Sequence, residues 1–254
     1  MENLVLYNFG KLLLILAFFI ELMKSDIIVL SVGGSIVAPD TIDIEFIKEF
    51  KKLLINRAER FILVVGGGGA ARKYQKALKE LGVESQEEMD WLGIAATKLN
   101  AQLIKSAFGN SCNPFVVSNP TVKLDFTEKF LIANGWKPGF STDYDAVMLA
   151  DNFGAKRVIN LSNIDYAYTK DPKKFKDAEK IERITWKGFR KIVGDEWLPG
   201  LNAPFDPIAS KKAEEIKLEV VILNGKNLNN LNDCLDNKNF NGTLIYCPSE
   251  KQND

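Results

Sequence analysis

The sequence predicts an α/β fold, a three-layer sandwich with a mostly parallel central sheet. Two observations carry that expectation. Short runs rich in β-branched and apolar residues, such as Ile27–Val32 and Phe61–Val65, lack the polar alternation of a half-exposed strand and so read as strands buried on both faces. Between the runs lie longer segments whose apolar residues recur at helical spacing, so that strand and helix alternate along the chain. No internal repeat or low-complexity linker interrupts the pattern, and residues 23–247 are expected to form a single domain.

Taken in order, Ile27–Val32 is a strand ending in Gly33-Gly34. Residues 44–57 place Phe46, Ile47, Phe50, Leu53 and Leu54 at helical spacing, with Asp43 and Glu45 at the start, where carboxylates suit the helix dipole. Phe61–Val65 is a second strand, again ending in glycines. A helix from Ala70 should carry Tyr74, Ala77, Leu78 and Leu81 on one side and stop at Gly82. The next helix, about 87–108, should bury Trp91, Leu92, Ile94, Ala95, Leu99, Leu103 and Ile104. Pro114–Val117 and Phe130–Ala133 read as strands, 143–153 as a helix and Arg157–Leu161 as a strand. After a charged, solvated connection at 170–182 come helices near 186–193 and 207–216, then strands at Leu218–Leu223 and Gly242–Tyr246. Residues 248–254 form a polar tail.

Composition narrows the chemistry. Lys plus Arg and Asp plus Glu balance at 33 each, so no overall field favours nucleic acid or an anionic membrane, and any phosphate site must be local. The 254 residues include no histidine, which removes the commonest general base and any Ser-His-Asp or Cys-His device. Cys112, Cys234 and Cys247 show no CxxC spacing and suit a reduced, cytoplasmic protein. The apolar run at 11–20 is about half the length needed to span a bilayer, and no membrane association is expected. Residues 1–22 are expected to be an extension or a mis-assigned start, with Met23 the natural one.

The candidate chemistry lies at strand ends, where ligands bind in open α/β sheets. Gly33-Gly34-Ser35 and Gly66–Gly69 both follow strands, and glycine there lets backbone N–H groups converge on a phosphate. Arg72 stands just inside the following helix, placed to grip the same anion with two hydrogen bonds. A third loop, residues 134–143, holds Gly135, Lys137, Gly139, Ser141, Thr142 and Asp143. Ser141, Thr142 or Asp143 could cap the following helix, which leaves the other two and Lys137 without a structural reason. A fourth segment, from Ser162-Asn163 to Asp171-Pro172, begins where another strand stops. No GxxxxGK[ST] motif occurs, and the GxGxxG rhythm with its downstream acidic residue is absent.

In this order and spacing, the segments Val32–Ser35, Val64–Gly68 with Ala71-Arg72, Asp90-x-x-Gly93 with Asn100-Ala101, Gly135–Asp143 and Ser162–Pro172 resemble the amino-acid kinase (carbamate kinase-like) family, and within it the archaeal-type UMP kinases. The resemblance implies transfer of the ATP γ-phosphoryl group to UMP with Mg²⁺, in pyrimidine nucleotide biosynthesis. It implies that Ser31, Val32, Gly33, Gly34 and Ser35 line the ATP phosphates, with Gly68 and Arg72 beside them. Ser162, Asn163, Tyr168 and Asp171 would contact ATP as well, the last two near the adenosine end. Gly67, Asp90, Trp136, Lys137, Pro138, Gly139, Phe140, Ser141 and Thr142 would hold UMP. Arg72, Lys137 and Asp143 are the expected catalytic residues, Asp143 organising the metal or the phosphate-binding groups; Asp145, turned to a different side of the helix, is the weaker choice. No metal ligand is assigned. The family resemblance also implies a homo-oligomer, a homohexamer, working in the cytoplasm.

Two departures from the family pattern stand out. Ser31 occupies the place where many members carry a lysine for the transferring phosphoryl group, and Asp165-Tyr166 replaces a usual Asp-Gly. The alternatives are a same-fold kinase for acetylglutamate, carbamate or isopentenyl phosphate, the last of which typically relies on a histidine, or a non-catalytic nucleotide-binding sensor or storage protein, which Ser31 would favour.

Overall fold

The computed structural model describes residues 26–196 and 203–248. The extension expected over residues 1–22 lies outside them, as does the tail from 249 onward. The described chain begins β1 (Ile27–Val32), α1 (Gly34–Val37), α2 (Ile44–Ile55), β2 (Arg60–Val65), α3 (Gly68–Glu80), α4 (Gln86–Phe108) and β3 (Phe130–Ala133). It continues α5 (Thr142–Phe153), β4 (Arg157–Ser162), β5 (Ala167–Tyr168), β6 (Lys180–Ile181), β7 (Arg183–Thr185) and α6 (Trp186–Val193). It closes with α7 (Pro207–Glu215), β8 (Glu219–Asn224), α8 (Leu228–Leu235) and β9 (Thr243–Tyr246).

Seven of the described strands form one sheet in the order β3-β2-β1-β4-β8-β9-β7. The first five run parallel; β9 is antiparallel to β8, and β7 is parallel to β9. The largely apolar runs follow from cover on both faces. On β1 and β2, Leu30, Val32, Phe61, Leu63 and Val65 join the core under α2, α4 and α8, while Val29, Ile62 and Val64 join the core under α5, α6 and α7. Alternate residues thus enter opposite layers, as the two-residue period of a strand requires. Phe108 meets Phe130 edge-on at 4.8 Å in the first core, and each such buried side chain contributes about 1.5–3 kcal/mol. At the start of α2, the Asp43 carboxylate accepts from the Phe46 N–H at 2.9 Å, capping the helix.

Several expectations need correction. α3 buries only Gly69; Tyr74 and Leu81 are 64% and 80% exposed, because this helix rides on α4 outside the sheet layers. In α4 the buried residues are Met89, Ala96, Thr97, Asn100, Ala101, Ile104 and Phe108, whereas Trp91 and Leu99 are 47% and 67% exposed. The inner face includes Thr97 and Asn100, which bond to backbone, so ranking by hydrophobicity selects the wrong side. Pro114–Val117 is not a strand: only Cys112 and Val117 form isolated bridges, to Phe130 and Ala133, and Pro114 has no N–H to extend a ladder. The connection at 170–182 is not wholly solvated coil, since β6 pairs with β5 in a small antiparallel ribbon. α1, α8 and β7 are additional elements.

Candidate active site

β1 and β2 are neighbours in register, Val32 opposite Val65, so both glycine turns emerge side by side at the carboxyl edge of the sheet. They interlock. A Cβ at Gly34 would lie 2.0 Å from the Gly68 nitrogen, and one at Gly66 would lie 2.4 Å from the Gly34 nitrogen. Gly68 adopts φ +62°, and a Cβ there would meet the Gly34 and Ala38 carbonyl oxygens at 2.4 Å. The Gly66 N–H donates to the Val32 carbonyl at 2.9 Å, and the Gly69 N–H donates to the Ala38 carbonyl at 2.8 Å. Glycine is needed at these positions because two backbones share a space too narrow for a methyl group. Where the sequence suggests two separate cradles, the structure builds one.

Asn100, a buried side chain of α4, holds this body from behind. Its Nδ2 donates to the Gly66 carbonyl at 2.8 Å and to the Gly67 carbonyl at 3.1 Å. The Arg72 guanidinium, exposed on the first turns of α3, donates to the Pro39 carbonyl at 2.6 Å and so clips α3 to the segment after α1. Lys226, just past β8, donates to the Ile36 carbonyl at 2.7 Å and pairs with Asp43, whose carboxyl is held below its ordinary range chiefly by that lysine. Lys226 is not visible as a site residue in the sequence, because it looks like a loop cation; Asn100 stands in the sequence only as part of the family pattern, with no contact assigned to it.

Ser31 and Asn160 sit opposite each other on β1 and β4. Both donate to Asp143 Oδ1, Ser31 Oγ at 2.9 Å and Asn160 Nδ2 at 2.8 Å. Burial pushes the Asp143 carboxyl up to about 7; the Ser31 hydroxyl pulls against that shift and the nearby Asp206 carboxylate adds to it. Ser141 caps α5, its Oγ accepting from the Tyr144 N–H at 3.2 Å, so one of the three candidate caps takes that role and leaves Asp143 free to face the sheet edge. Asp145 takes a different partner: its Oδ2 accepts from the Trp136 N–H at 3.0 Å. It is wholly buried, and burial first, then the Asp143 and Asp206 charges, push its carboxyl up to about 7.

The loop from Asn134 to Ser141 forms the far wall. The Gly135 N–H donates to Thr97 Oγ1 and the Gly139 N–H to Asp90 Oδ2, both at 2.9 Å. Asp90 thus reaches the loop from α4, and Gly139, with φ +83°, needs its positive φ for the turn beside Pro138. The rings of Trp136, Phe140 and Tyr144 follow one another at centroid distances of 5.3 and 4.5 Å. Lys137 Nζ rests 4.0 Å from the centre of the Trp136 ring, a cation–π contact. Thr142 opens α5 directly behind Ser141.

On the other side of the cradle, Ser162 ends β4 opposite Asn224 on β8 and accepts from the Ile164 N–H at 3.3 Å, with Asn163 exposed at the rim. Asp165 accepts from Asn224 Nδ2 at 3.0 Å, and the Tyr166 hydroxyl donates to Asn241 Oδ1 at 3.0 Å; these contacts shape the turn that lacks a glycine. Tyr168 lies half-buried on β5, and Asp171 caps the turn around Pro172, its Oδ1 accepting from the Lys173 N–H at 2.9 Å. Ser31, Val32, Ser35 and the glycine turns are brought together with Asp143. Tyr168 and Asp171 belong to the ribbon after β4.

A parallel-sheet sandwich with paired glycine turns at its carboxyl edge, facing the half-buried Asp143 carboxylate and an aromatic loop, is the arrangement of a phosphate-handling α/β protein. The chain belongs to the amino acid kinase family, whose model matches residues 26–224. It is 36% identical over 224 residues to the uridylate kinase of Methanospirillum hungatei, covering 86% of this chain and 94% of that one. It is 34% identical to the uridylate kinase of Thermococcus kodakarensis, covering 86% and 98% of the two chains. The crystal structure of uridylate kinase from Archaeoglobus fulgidus matches with a TM-score of 0.75 at 32% identity, covering 86% of this chain and 99% of that one.

Proposed function

We propose that this chain transfers the γ-phosphoryl group of ATP to UMP, giving UDP and ADP, as a step of pyrimidine nucleotide biosynthesis. The observation that carries the reading is the interlock of Gly34 with Gly66 and Gly68, which sets two phosphate-binding turns in backbone contact. Similarity to uridylate kinases over most of the chain supports UMP as the acceptor. Ser31–Ser35, Gly68, Ser162, Asn163, Tyr168 and Asp171 would hold ATP. Gly67, Asp90 and the loop Trp136–Thr142 would hold UMP, and Arg72 would serve both phosphates. In this reading residues 23–247 are a single kinase domain.

A phosphate oxygen of UMP attacks the γ-phosphorus, the bond from that phosphorus to the β,γ-bridging oxygen breaks, and ADP leaves with the electron pair. The acceptor is an anion at neutral pH, so no general base is needed and the absence of histidine carries no penalty. What the protein supplies is alignment and charge: glycine-turn backbone, the amino end of α3, Arg72 and Lys137. Lys137 would leave the Trp136 ring for the acceptor phosphate. Asp143 would be held at the sheet edge by Ser31 on β1 and Asn160 on β4, to organise the metal or the phosphate-binding groups.

Mg²⁺ would neutralise charge on the transferring phosphates. Among the described residues no cluster of three Asp, Glu or Cys side chains could hold a metal alone. That fits an ion that arrives largely coordinated by ATP and keeps its waters. The chain would act in the cytoplasm, a compartment suited to three free cysteines. Among the described residues no helix is long and apolar enough to cross a membrane. The exposed Trp91, Ala95 and Leu99, one face of α4 at four-residue spacing, support a homo-oligomer, which we propose to be a hexamer.

The test is coupled-assay turnover with UMP, CMP and acetylglutamate. UMP turnover supports the reading; ATP binding without turnover of any acceptor would replace it with a nucleotide sensor. Arg72→Ala should weaken UMP binding at least tenfold, since a charge-assisted phosphate contact is lost, and unchanged kinetics would remove Arg72 from the site.

A further inference from the structure

Asp145 has a burial that its role as a helix residue does not explain. It is wholly inaccessible, its Oδ2 accepts one hydrogen bond, and its Oδ1 meets no partner. The nearby charges of Asp143 and Asp206 have its own sign. An apolar side chain would fill such a place at lower free energy, because an incompletely paired buried carboxyl is destabilising. What the carboxyl does in this position is one thing: it fixes the Trp136 N–H. That N–H lies in the loop, three residues past the end of β3. Gly135 before it is held by Thr97, and Gly139 after it by Asp90. Between those anchors, the residue that aims Trp136 and Lys137 is Asp145.

We propose that Asp145 is a positioning residue of the acceptor site, acting through the Trp136 backbone to direct the Trp136–Lys137 corner onto the nucleoside monophosphate. The proposal rests on the reading of that loop as the UMP site. It assigns Asp145 to acceptor binding and not to ATP binding, because its one hydrogen bond goes to the acceptor loop, whereas the Gly34–Gly68 joint is backbone packed on backbone.

The experiment compares full-length wild type, Asp145→Asn and Asp145→Val by calorimetric UMP and ATP binding, steady-state kinetics and thermal melting. Asp145→Asn keeps an acceptor oxygen and should bind UMP within about threefold of wild type. Asp145→Val should bind UMP about tenfold more weakly and show a UMP KM about tenfold higher, the size of one buried hydrogen bond. Its ATP affinity should stay within about twofold, and its melting temperature should be equal to or above wild type. A Val variant with wild-type UMP affinity overturns the assignment. So does one in which UMP affinity, ATP affinity and melting temperature fall together, which would mark a merely structural residue. If the Val variant does not fold, Asp145→Ala takes its place with the same outcomes. If wild type turns over UMP while the variants are unaltered, only the inference falls; if wild type neither binds nor phosphorylates UMP, the kinase reading falls with it.

Discussion

The Ser31 hydroxyl donates to Asp143 at 2.9 Å, where β1 and the start of α5 meet. A neutral donor therefore stands where many family members place a lysine, and it holds the carboxyl that faces the cradle. Removing it should be felt most when Asp143 is charged. Ser31→Ala is expected to lower stability by about 1.5–3 kcal/mol at pH 8, the range for a bond to an ionised acceptor, and by less at pH 5. Urea unfolding at the two pH values checks this; an equal loss at both would show that Asp143 does not titrate between them.

Asp143 and Asp145 both have carboxyls raised to about 7 by burial, from 3.8 in the unfolded chain. Between those values the folded state binds more protons than the unfolded one, so this stabilisation is fully present below about pH 4 and is lost as pH rises to about 7. Asp145→Asn removes one of the two groups. Its stability relative to wild type should therefore climb from pH 4 to pH 7 and level off above, and a difference that stays flat across that range would contradict the raised value.

Gly34→Ala should be among the most damaging changes in the chain. The added methyl would lie 2.0 Å from the Gly68 nitrogen, backbone that cannot swing aside as a side chain would. A loss of about 3 kcal/mol or more is expected, with ATP and UMP binding weakened together. Binding of one nucleotide unaffected by the change would show that the turns are not one body.

Asn100→Ala leaves the Gly66 and Gly67 carbonyls without their side-chain donor inside the protein. A loss of about 1–3 kcal/mol follows. Asn100→Asp should be worse, since it sets carboxylate oxygens against carbonyl oxygens. Denaturant midpoints rank the three proteins, and an Asp variant as stable as Ala would mean the amide is not the contact that matters.

Much of the sheet is legible in the sequence because β1, β2, β4 and β8 are covered on both faces, which leaves largely apolar runs interrupted inside only by Ser31 and Asn160. α8 is not, since its core contacts rest on Leu231, Cys234 and Leu235 among many Asn and Asp residues. The inner face of α4 is disguised by Thr97 and Asn100, whose polarity serves backbone atoms distant in the chain. For the site, both glycine clusters and the 134–143 loop stand out as strand-end motifs. Their mutual contact is a distance between residues 34 and 68, and no local pattern encodes it. Helical geometry turns Asp145 to a different side from Asp143 and makes it the weaker candidate; only tertiary packing shows that this side faces the Trp136 N–H.

The acceptor loop and the cradle differ in how freely they can vary. The cradle is a backbone joint without spare volume, whereas the loop hangs from three side-chain oxygens, on Thr97, Asp145 and Asp90, contributed by helices outside the joint. In the proposed reading, a change of loop sequence between those anchors would alter what is received while leaving the backbone joint of the glycine turns untouched. In that reading the choice of acceptor and the packing of the glycine turns are separable traits, provided that a graft over residues 136–140 keeps Lys137.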